Sequence, residues 1–418
     1  MYKPKLFETK QHFVWTIGVL FLLFSLRLGW EYRNYTEFIA KPFFFTHANV
    51  LLAYTKQKRN RSYQVLKLHS DEGLDFYTTT HNKRDFSHHD VRVQIFPDER
   101  ISFWDYLGTF YVKSRIKDVQ RQPVTLKERL LENVSAQHSE PELQAFYHAI
   151  FFATPLPKAL REQISKLGIS HLVALSGFHL GILWGLVYGL AYLIYRPFQQ
   201  RFFPYRHALA DVGTVTVLVL GFYLWFVGFP PSLVRSYAMV VAGWVVLLLG
   251  IELLSFGFLA TILLSLLVLF PSLSVSLAFW LSVSGVFYIF LLLHHGRYLN
   301  KWVISFLLIP FGIFLLMLPV VHGVFPVTSS YQLLSPFLSL LFIPFYPFVM
   351  LSHLLGVGGV LDEGLKWLFA LPQKSSEALL PLWAIVLYAG VSVGAVWSRT
   401  LFYLLLGSAA GYGVYLFI

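Results

Sequence analysis

Cysteine is absent from the 418 residues, so no disulfide framework and no thiolate-ligated zinc or iron–sulfur centre can form. Charge is scarce as well. Asp, Glu, Lys and Arg make up 13% of the chain, about half the roughly 25% of an ordinary soluble domain. The scarcity is uneven: from His171 to Ile418 there are nine Lys or Arg and five Asp or Glu, whereas residues 30–170 carry 20 basic and 16 acidic side chains. No glycine-rich loop ending in Lys-Ser or Lys-Thr occurs, so any nucleotide-driven motor must be another protein. No persuasive internal repeat of the kind secondary transporters show is present. These absences leave a polar segment of one-domain size followed by a polytopic membrane domain.

What is present fits that division. The chain is 56% hydrophobic and 18% aromatic, with a formal charge of +11 that suits polyanions or anionic headgroups. Residues 1–30 read as an uncleaved transmembrane anchor: Lys3, Lys5 and Lys10 precede an apolar run from Phe13 to Leu28, and Trp30-Glu31-Tyr32-Arg33 offers no small-residue cleavage site. Residues 31–120 alternate as strands do, most clearly at Tyr63–Leu68, Phe76–Thr80, Val91–Phe96 and Phe110–Val112. Five short strands suggest a small all-β barrel. Lys56 to Arg61 read as a turn between two of them. Tyr54, Lys56, Lys58, Arg59, Arg61, Tyr63 and Tyr77 have the chemistry of a basic groove in which bases stack on aromatic rings. The same residues also describe a solvated basic turn above an aromatic core.

Residues 121–170 read as amphipathic helices on the membrane surface, beginning at Pro123 and Pro141 and basic early on. Nine candidate spans then follow the anchor, at 171–195, 209–228, 232–251, 255–271, 273–294, 302–318, 331–351, 381–397 and 400–417. A cytoplasmic N-terminus puts the β domain outside and returns Arg196, Arg201, Arg206, Arg297 and Lys301 to the cytoplasm, as the positive-inside rule requires. Arg399 is the exception. Pro336, Pro344 and Pro347 fall within 331–351, which is therefore read as interrupted, lining a path or re-entrant.

The densest chemistry lies at Gly168-Ile-Ser-His-Leu-Val-Ala-Leu-Ser-Gly-Phe-His-Leu-Gly181. Helical phase would put His171, Leu175 and His179 on one face with Ser176 beside them, and Gly177 and Gly181 would let another backbone approach. Polar groups entering lipid mark function, although a tight helix–helix interface uses the same small residues. No intramembrane carboxylate accompanies the histidines, so no acid–base dyad is visible. His88-His89-Asp90 lacks a second cluster to complete a metal site. We therefore expect no metal, no cofactor and no catalytic residues. Asp71, Asp75, Asp85 and Asp90 read as turn residues, which leaves nuclease activity in the β domain a weak alternative.

This segment resembles the signature of the ComEC-type competence family. Gly168, Ser170, His171, Leu172, Ala174, Ser176, Gly177, His179 and Gly181 match it position for position. Gly228, Pro231, Ser232, Val234 and Arg235 resemble a second family block, and Tyr331 to Pro336 a looser third. The resemblance implies an inner-membrane channel that passes single-stranded DNA to the cytoplasm during natural transformation. It further implies an OB-like external β domain, a channel domain over 171–418, and about ten spans in all. His171, Ser176, Gly177, His179, Gly181, Ser232 and Arg235 would line the DNA path. A periplasmic DNA receptor, a cytoplasmic helicase-like motor and a single-strand-binding protein are the implied partners, and a homo-oligomer is compatible. The metallo-β-lactamase-like domain of longer members, with its His-x-His-x-Asp-His motif, does not occur, so nuclease activity is not carried over. Phe151 to Pro157 replace the family's charged Gly-Asp element. The alternative class is a membrane transporter or membrane-embedded enzyme acting on a small anion.

Overall fold

The computed structural model describes residues 6–7, 9–58, 61–82, 84, 86, 89–121, 125–250, 255–371 and 374–417. They form two compact units, one of Phe7–Thr125 with Ala260–Leu277, the other of Leu126–Leu259 with Ala278–Ile418.

In the first unit, helix α1 (Lys10–Ile39) begins where the Thr9 hydroxyl accepts a hydrogen bond from His12 N–H at 3.2 Å. Its 30 residues reach about 45 Å, more than a bilayer core. Trp15, Phe21, Leu22 and Leu26 are uncovered by protein. The last turn behaves differently: Phe38 is buried among Phe44, Tyr106 and Phe110, and Tyr35 donates to the Ile101 carbonyl at 2.8 Å. The apolar helix therefore continues past position 30 and ends inside the core of the β region.

Six strands make that region: β1 (Phe44–Lys58), β2 (Arg61–Ser70), β3 (Asp75–Thr80), β4 (His89–Phe96), β5 (Thr109–Tyr111) and β6 (Lys113–Arg121), with α2 (Phe103–Leu107) before β5. Their order is β5-β3-β2-β1-β4-β6, antiparallel throughout except β3 with β5. The two ends of that order are consecutive in the chain. Only Val112 separates β5 from β6, and its N–H donates to the Tyr77 carbonyl at 2.9 Å. The sheet thus returns upon itself, bent by register shifts at Val50/Leu52 and Arg92/Val93. Leu66, Leu68, Phe76, Val91, Val93, Ile95 and Phe110 fill its interior. Lys56 and Lys58, expected in a turn, are strand residues, because β1 runs on to position 58.

The second unit is helical. Short helices α3 (Leu126–Ser135), α4 (Pro141–Phe152), α5 (Lys158–Lys166) and α6 (Ser170–Val173) precede α7 (Gly177–Phe202), α8 (Ala208–Phe226) and α9 (Pro231–Leu248). After α10 (Phe256–Leu269), which straddles the two units, come α11 (Leu277–His295) and α12 (Lys301–Val303), then a π-helical stretch, Ile304–Leu308, into α13 (Ile309–His322). The chain ends with α14 (Ser335–Leu354), α15 (Asp362–Ala370), α16 (Leu382–Gly394) and α17 (Arg399–Phe417).

Among the described residues, seven helices are long and apolar enough to cross a membrane: Lys10–Ile39, Gly177–Phe202, Ala208–Phe226, Leu277–His295, Lys301–His322, Ser330–Leu354 and Arg399–Phe417. Three expected spans are shorter apolar helices, Ser232–Leu248, Phe256–Leu269 and Leu382–Gly394.

Two departures from the sequence reading have clear causes. Helix α4, expected on the membrane surface, has Leu143, Phe146, Tyr147, Ala149, Ile150, Phe151 and Phe152 buried against the rest of its unit, because it is apolar nearly all round. Helix α14 is continuous through Pro344 and Pro347. The chain around it also makes a closed excursion. Strand β7 (Val327–Thr328) pairs with β8 (Ser376–Glu377), so the stretch holding α14 and α15 starts and finishes at one place. Next to that place, Leu380 N–H donates to the His322 carbonyl at 2.9 Å and Tyr412 packs on His322. At the other ends of α16 and α17, His295 hydrogen-bonds the Ala395 carbonyl at 2.8 Å and stacks on Phe402 at 4.2 Å.

Candidate functional site

The signature is not one helix. The chain stops being helical after Val173 and restarts at Gly177, with Ser176 extended between them as the cap of α7. Ser176 Oγ accepts from Phe178 N–H at 3.3 Å, and the His179 ring, three residues on, accepts from Ser176 N–H through Nδ1 at 3.3 Å. A hydroxyl and an imidazole thereby satisfy a helix start in apolar surroundings, where a bare amide is costly. The break also cancels the helical phase expected for His171 and His179. His171 is exposed, with Nε2 at 3.3 Å from Ser339 Oγ, whereas His179 is fully buried between Phe342 and Tyr346, at ring distances of 5.2 and 4.9 Å. His179 Nε2 has no hydrogen-bond partner among the described residues.

The second block clamps this break. Ser232 Oγ donates to the Leu175 carbonyl at 2.7 Å, and Ser236 Oγ to the Ser232 carbonyl at 2.9 Å. A Cβ at Gly177 would stand 3.0 Å from Ser236 Oγ, so the glycine lets α9 lie close without pushing that hydroxyl aside. Gly181 is different. A Cβ at that position meets nothing within 4 Å, so its expected role in close packing does not hold, the neighbouring helix being too far away. Just before α9, Gly228 (φ 85°) and Phe229 (φ 53°) reverse the chain, and the Lys127 ammonium donates to the last carbonyl before the turn, Val227, at 2.9 Å. Burial in that contact pulls the Lys127 pKa below its ordinary value.

Arg235 follows one turn into α9. It is 5% exposed, its guanidinium lies 5.8 Å over the Phe279 ring, and its Nε has no partner. No carboxylate among the described residues pairs with it. An arginine held this way keeps its positive field uncompensated.

The third block, the loosest in sequence, supplies contacts that sequence reasoning left out of the site. Gln332 Nε2 donates to the Ser165 and Val327 carbonyls at 3.3 and 3.0 Å, and Ser335 Oγ to the Gly168 carbonyl at 2.9 Å. Gly168 has φ 70°, and the Gln332 side chain lies 3.2 Å from where its Cβ would be, so any other residue would be strained there. Ser335, Ser339, Phe342 and Tyr346 recur at helical spacing, a polar-to-aromatic stripe inside an apolar run that was the available signal.

In the β region, strand register brings the predicted residues together. Tyr54 pairs with Val65, Lys56 with Tyr63 and Lys67 with Tyr77, which places Tyr54, Lys56, Tyr63, Lys67 and Tyr77 on the face opposite Leu66 and Leu68; positions 58 and 61 are paired in the backbone. Lys56 Nζ stands 5.6 Å over the Tyr54 ring. Lys67 and the exposed Tyr111, unforeseen, join the same face, Tyr111 through a 3.0 Å hydroxyl contact with Thr79. Arg59 and His88 lie outside the described residues.

The Competence protein family matches residues 153–416, which takes in all three blocks. The chain belongs to that family. Among curated proteins, an uncharacterised protein of Aquifex aeolicus (strain VF5) is 28% identical over 274 residues. The match covers 63% of this competence protein and 60% of that relative's length. No solved structure matches it.

Proposed function

We propose that this competence protein conducts single-stranded DNA across the inner membrane during natural transformation, as a channel and not as an enzyme. The observation that carries the reading is Arg235, a buried guanidinium without a carboxylate partner among the described residues, set one turn beyond the Ser232 clamp within a family of competence proteins. Moving one negative charge per nucleotide through a low-dielectric slab needs a positively biased path that does not bind phosphate tightly enough to stall it. A single uncompensated arginine beside neutral hydroxyls and imidazoles has that character. We assign His171, Ser176, Gly177, His179, Ser232 and Arg235 to the path.

The β region receives the strand. Its pairing supports an OB-like barrel: a three-strand meander, a parallel β3–β5 contact, and closure through the β5–β6 run. OB folds use the outer face of their second and third strands for oligonucleotides, and here that face carries Lys56, Lys67, Tyr54, Tyr63, Tyr77 and Tyr111. A periplasmic DNA receptor, a cytoplasmic motor and a single-strand-binding protein complete the pathway.

For topology we infer nine crossings and one returning excursion in place of ten spans, with the N-terminus cytoplasmic and the β region outside. The β7–β8 pairing supports it, because residues 329–375 then change no sides. Arg399 consequently joins Arg297 and His295 in the cytoplasm, where His295 already touches Ala395 and Phe402. Arg399 ceases to be an exception to the positive-inside rule, while Lys366 and Lys374 come to lie outside with the excursion.

The test is transformation in a clean deletion, following labelled DNA separately into periplasm and cytoplasm. Arrest in the periplasm, relieved by the wild-type gene and not by Arg235→Ala at equal protein level, is the expected result. Normal cytoplasmic DNA in the deletion would reject the channel.

A further inference from the structure

A second polar cluster lies away from the signature, where the α3–α4 turn meets the C-terminal end of α14 and the start of α15. His138 and His353 are 5% and 8% exposed. His138 Nδ1 is 2.9 and 3.0 Å from the two Asp362 carboxylate oxygens, and the Nε2 atoms of the two rings are 2.8 Å apart. His353 Nδ1 is 2.6 Å from the Val349 carbonyl. Tyr147 stacks on His138 at 4.4 Å and 13°, its buried hydroxyl unpartnered among the described residues. Gln137 closes the cage: its amide donates to the His353 carbonyl at 3.1 Å and accepts from Gly358 N–H at 2.8 Å. A Cβ at Gly358 would come within 2.6 Å of the His353 ring, so no side chain is admitted there.

Proton bookkeeping follows from these contacts. A carbonyl only accepts, so His353 must carry its proton on Nδ1, which leaves Nε2 as a lone pair when the ring is neutral. The 2.8 Å contact between the Nε2 atoms then needs a proton of its own, and the His138–Asp362 contact needs another. Three protons are distributed over two imidazoles and one carboxylate, giving a net charge of zero, which is what burial favours. With two protons the cluster has a net charge of −1 and one close contact becomes lone pair against lone pair.

We infer that His138, His353 and Asp362 form a proton-binding site whose bound proton fastens the end of α14 to the α3–α4 turn and to α15. The groups facing it are Tyr147 and His148 from α4, Glu140 and Glu142 at the start of that helix, and Glu363 and Lys366 from α15. Lys366 is engaged with Glu140 and Glu363 at 2.8 Å each, so it does not stand in for the proton. The same face of α14 carries Ser339, Phe342 and Tyr346 against His171 and His179, so the proton holds one end of the helix that packs on the signature. This inference does not depend on the DNA reading.

The test is hydrogen exchange, read by mass spectrometry on the full chain in lipid nanodiscs with a chelator present, from pH 5 to pH 10. Rates are corrected for intrinsic exchange and referenced to the middle of α7. Protection of peptides spanning 134–142 and 349–366 should fall at least tenfold as the pH rises, as the proton leaves. Asp362→Asn should be unprotected at both extremes, because the neutral amide no longer balances the third proton. Lys366→Met should keep the wild-type profile. Flat wild-type protection across the range overturns the inference, as does an Asp362→Asn profile identical to wild type. Low protection at pH 7 that zinc restores when it replaces the chelator would assign the two nitrogens to a metal instead. The wild-type profile decides the matter even if the variant does not fold.

Discussion

Replacing Arg235 with methionine separates a structural from a conducting role. The guanidinium contributes a cation–π contact with Phe279 worth about 0.5–2 kcal/mol, which methionine loses in part. Against that, its unpartnered Nε costs about 1–3 kcal/mol of desolvation, which methionine does not incur. The balance runs from about 1 kcal/mol less stable to about 2.5 kcal/mol more stable, in line with buried charges elsewhere that apolar residues of similar volume replace without loss. The variant should therefore unfold in detergent at nearly the wild-type denaturant midpoint and reach the membrane in normal amount. Uptake of labelled DNA into the cytoplasm should nevertheless drop to the level of the deletion. A variant that unfolds clearly earlier, with uptake falling only in proportion to protein, would show that Arg235 holds the bundle together. A stable variant with normal uptake would remove it from the path.

Gly177→Ala should be less favourable than Gly181→Ala by about 1 kcal/mol, because only its Cβ meets a neighbour, the Ser236 hydroxyl, which must move aside, whereas Gly181→Ala should be neutral or gain about 0.5–1 kcal/mol from helix propensity; paired unfolding curves check the contrast. In the full-length protein, Tyr63→Ala should weaken binding of a single-stranded oligonucleotide by about 1–3 kcal/mol, roughly tenfold or more. Lys56→Ala should reduce the salt dependence of that binding, both read by fluorescence anisotropy; unchanged curves would clear the β face of DNA contact. Because the chain has no cysteine, Val324→Cys and Ser398→Cys can be labelled singly with an impermeant maleimide in intact cells. The returning excursion predicts labelling at 324 and none at 398, whereas ten spans predict labelling at both.

The sequence by itself determined the class of molecule and the location of its chemistry. Charge scarcity after His171 requires a lipid-facing bundle, since unpaired charge does not enter hydrocarbon. The polar residues of the signature stand out against that background for the same reason. Strand alternation at 63–68 and 91–96 was legible because side chains in a sheet repeat every two residues, and that period also carried Tyr54, Lys56, Tyr63 and Tyr77 onto one face. Only tertiary structure decided the rest. Local phase makes His171 and His179 neighbours on one helix, but a cap at Ser176 and a clamp from Ser232, 57 residues away, break it. Spacing treats Gly177 and Gly181 alike, although a partner helix stands beside only one of them. Hydropathy treats α14 as a helix by itself, whereas the pairing of Val327–Thr328 with Ser376–Glu377 brings the two ends of its stretch together. His138 and His353, 215 residues apart, carry no mutual signal in sequence. Hydrogen bonds over such separations depend on how helices are packed, and local propensity holds no record of that packing.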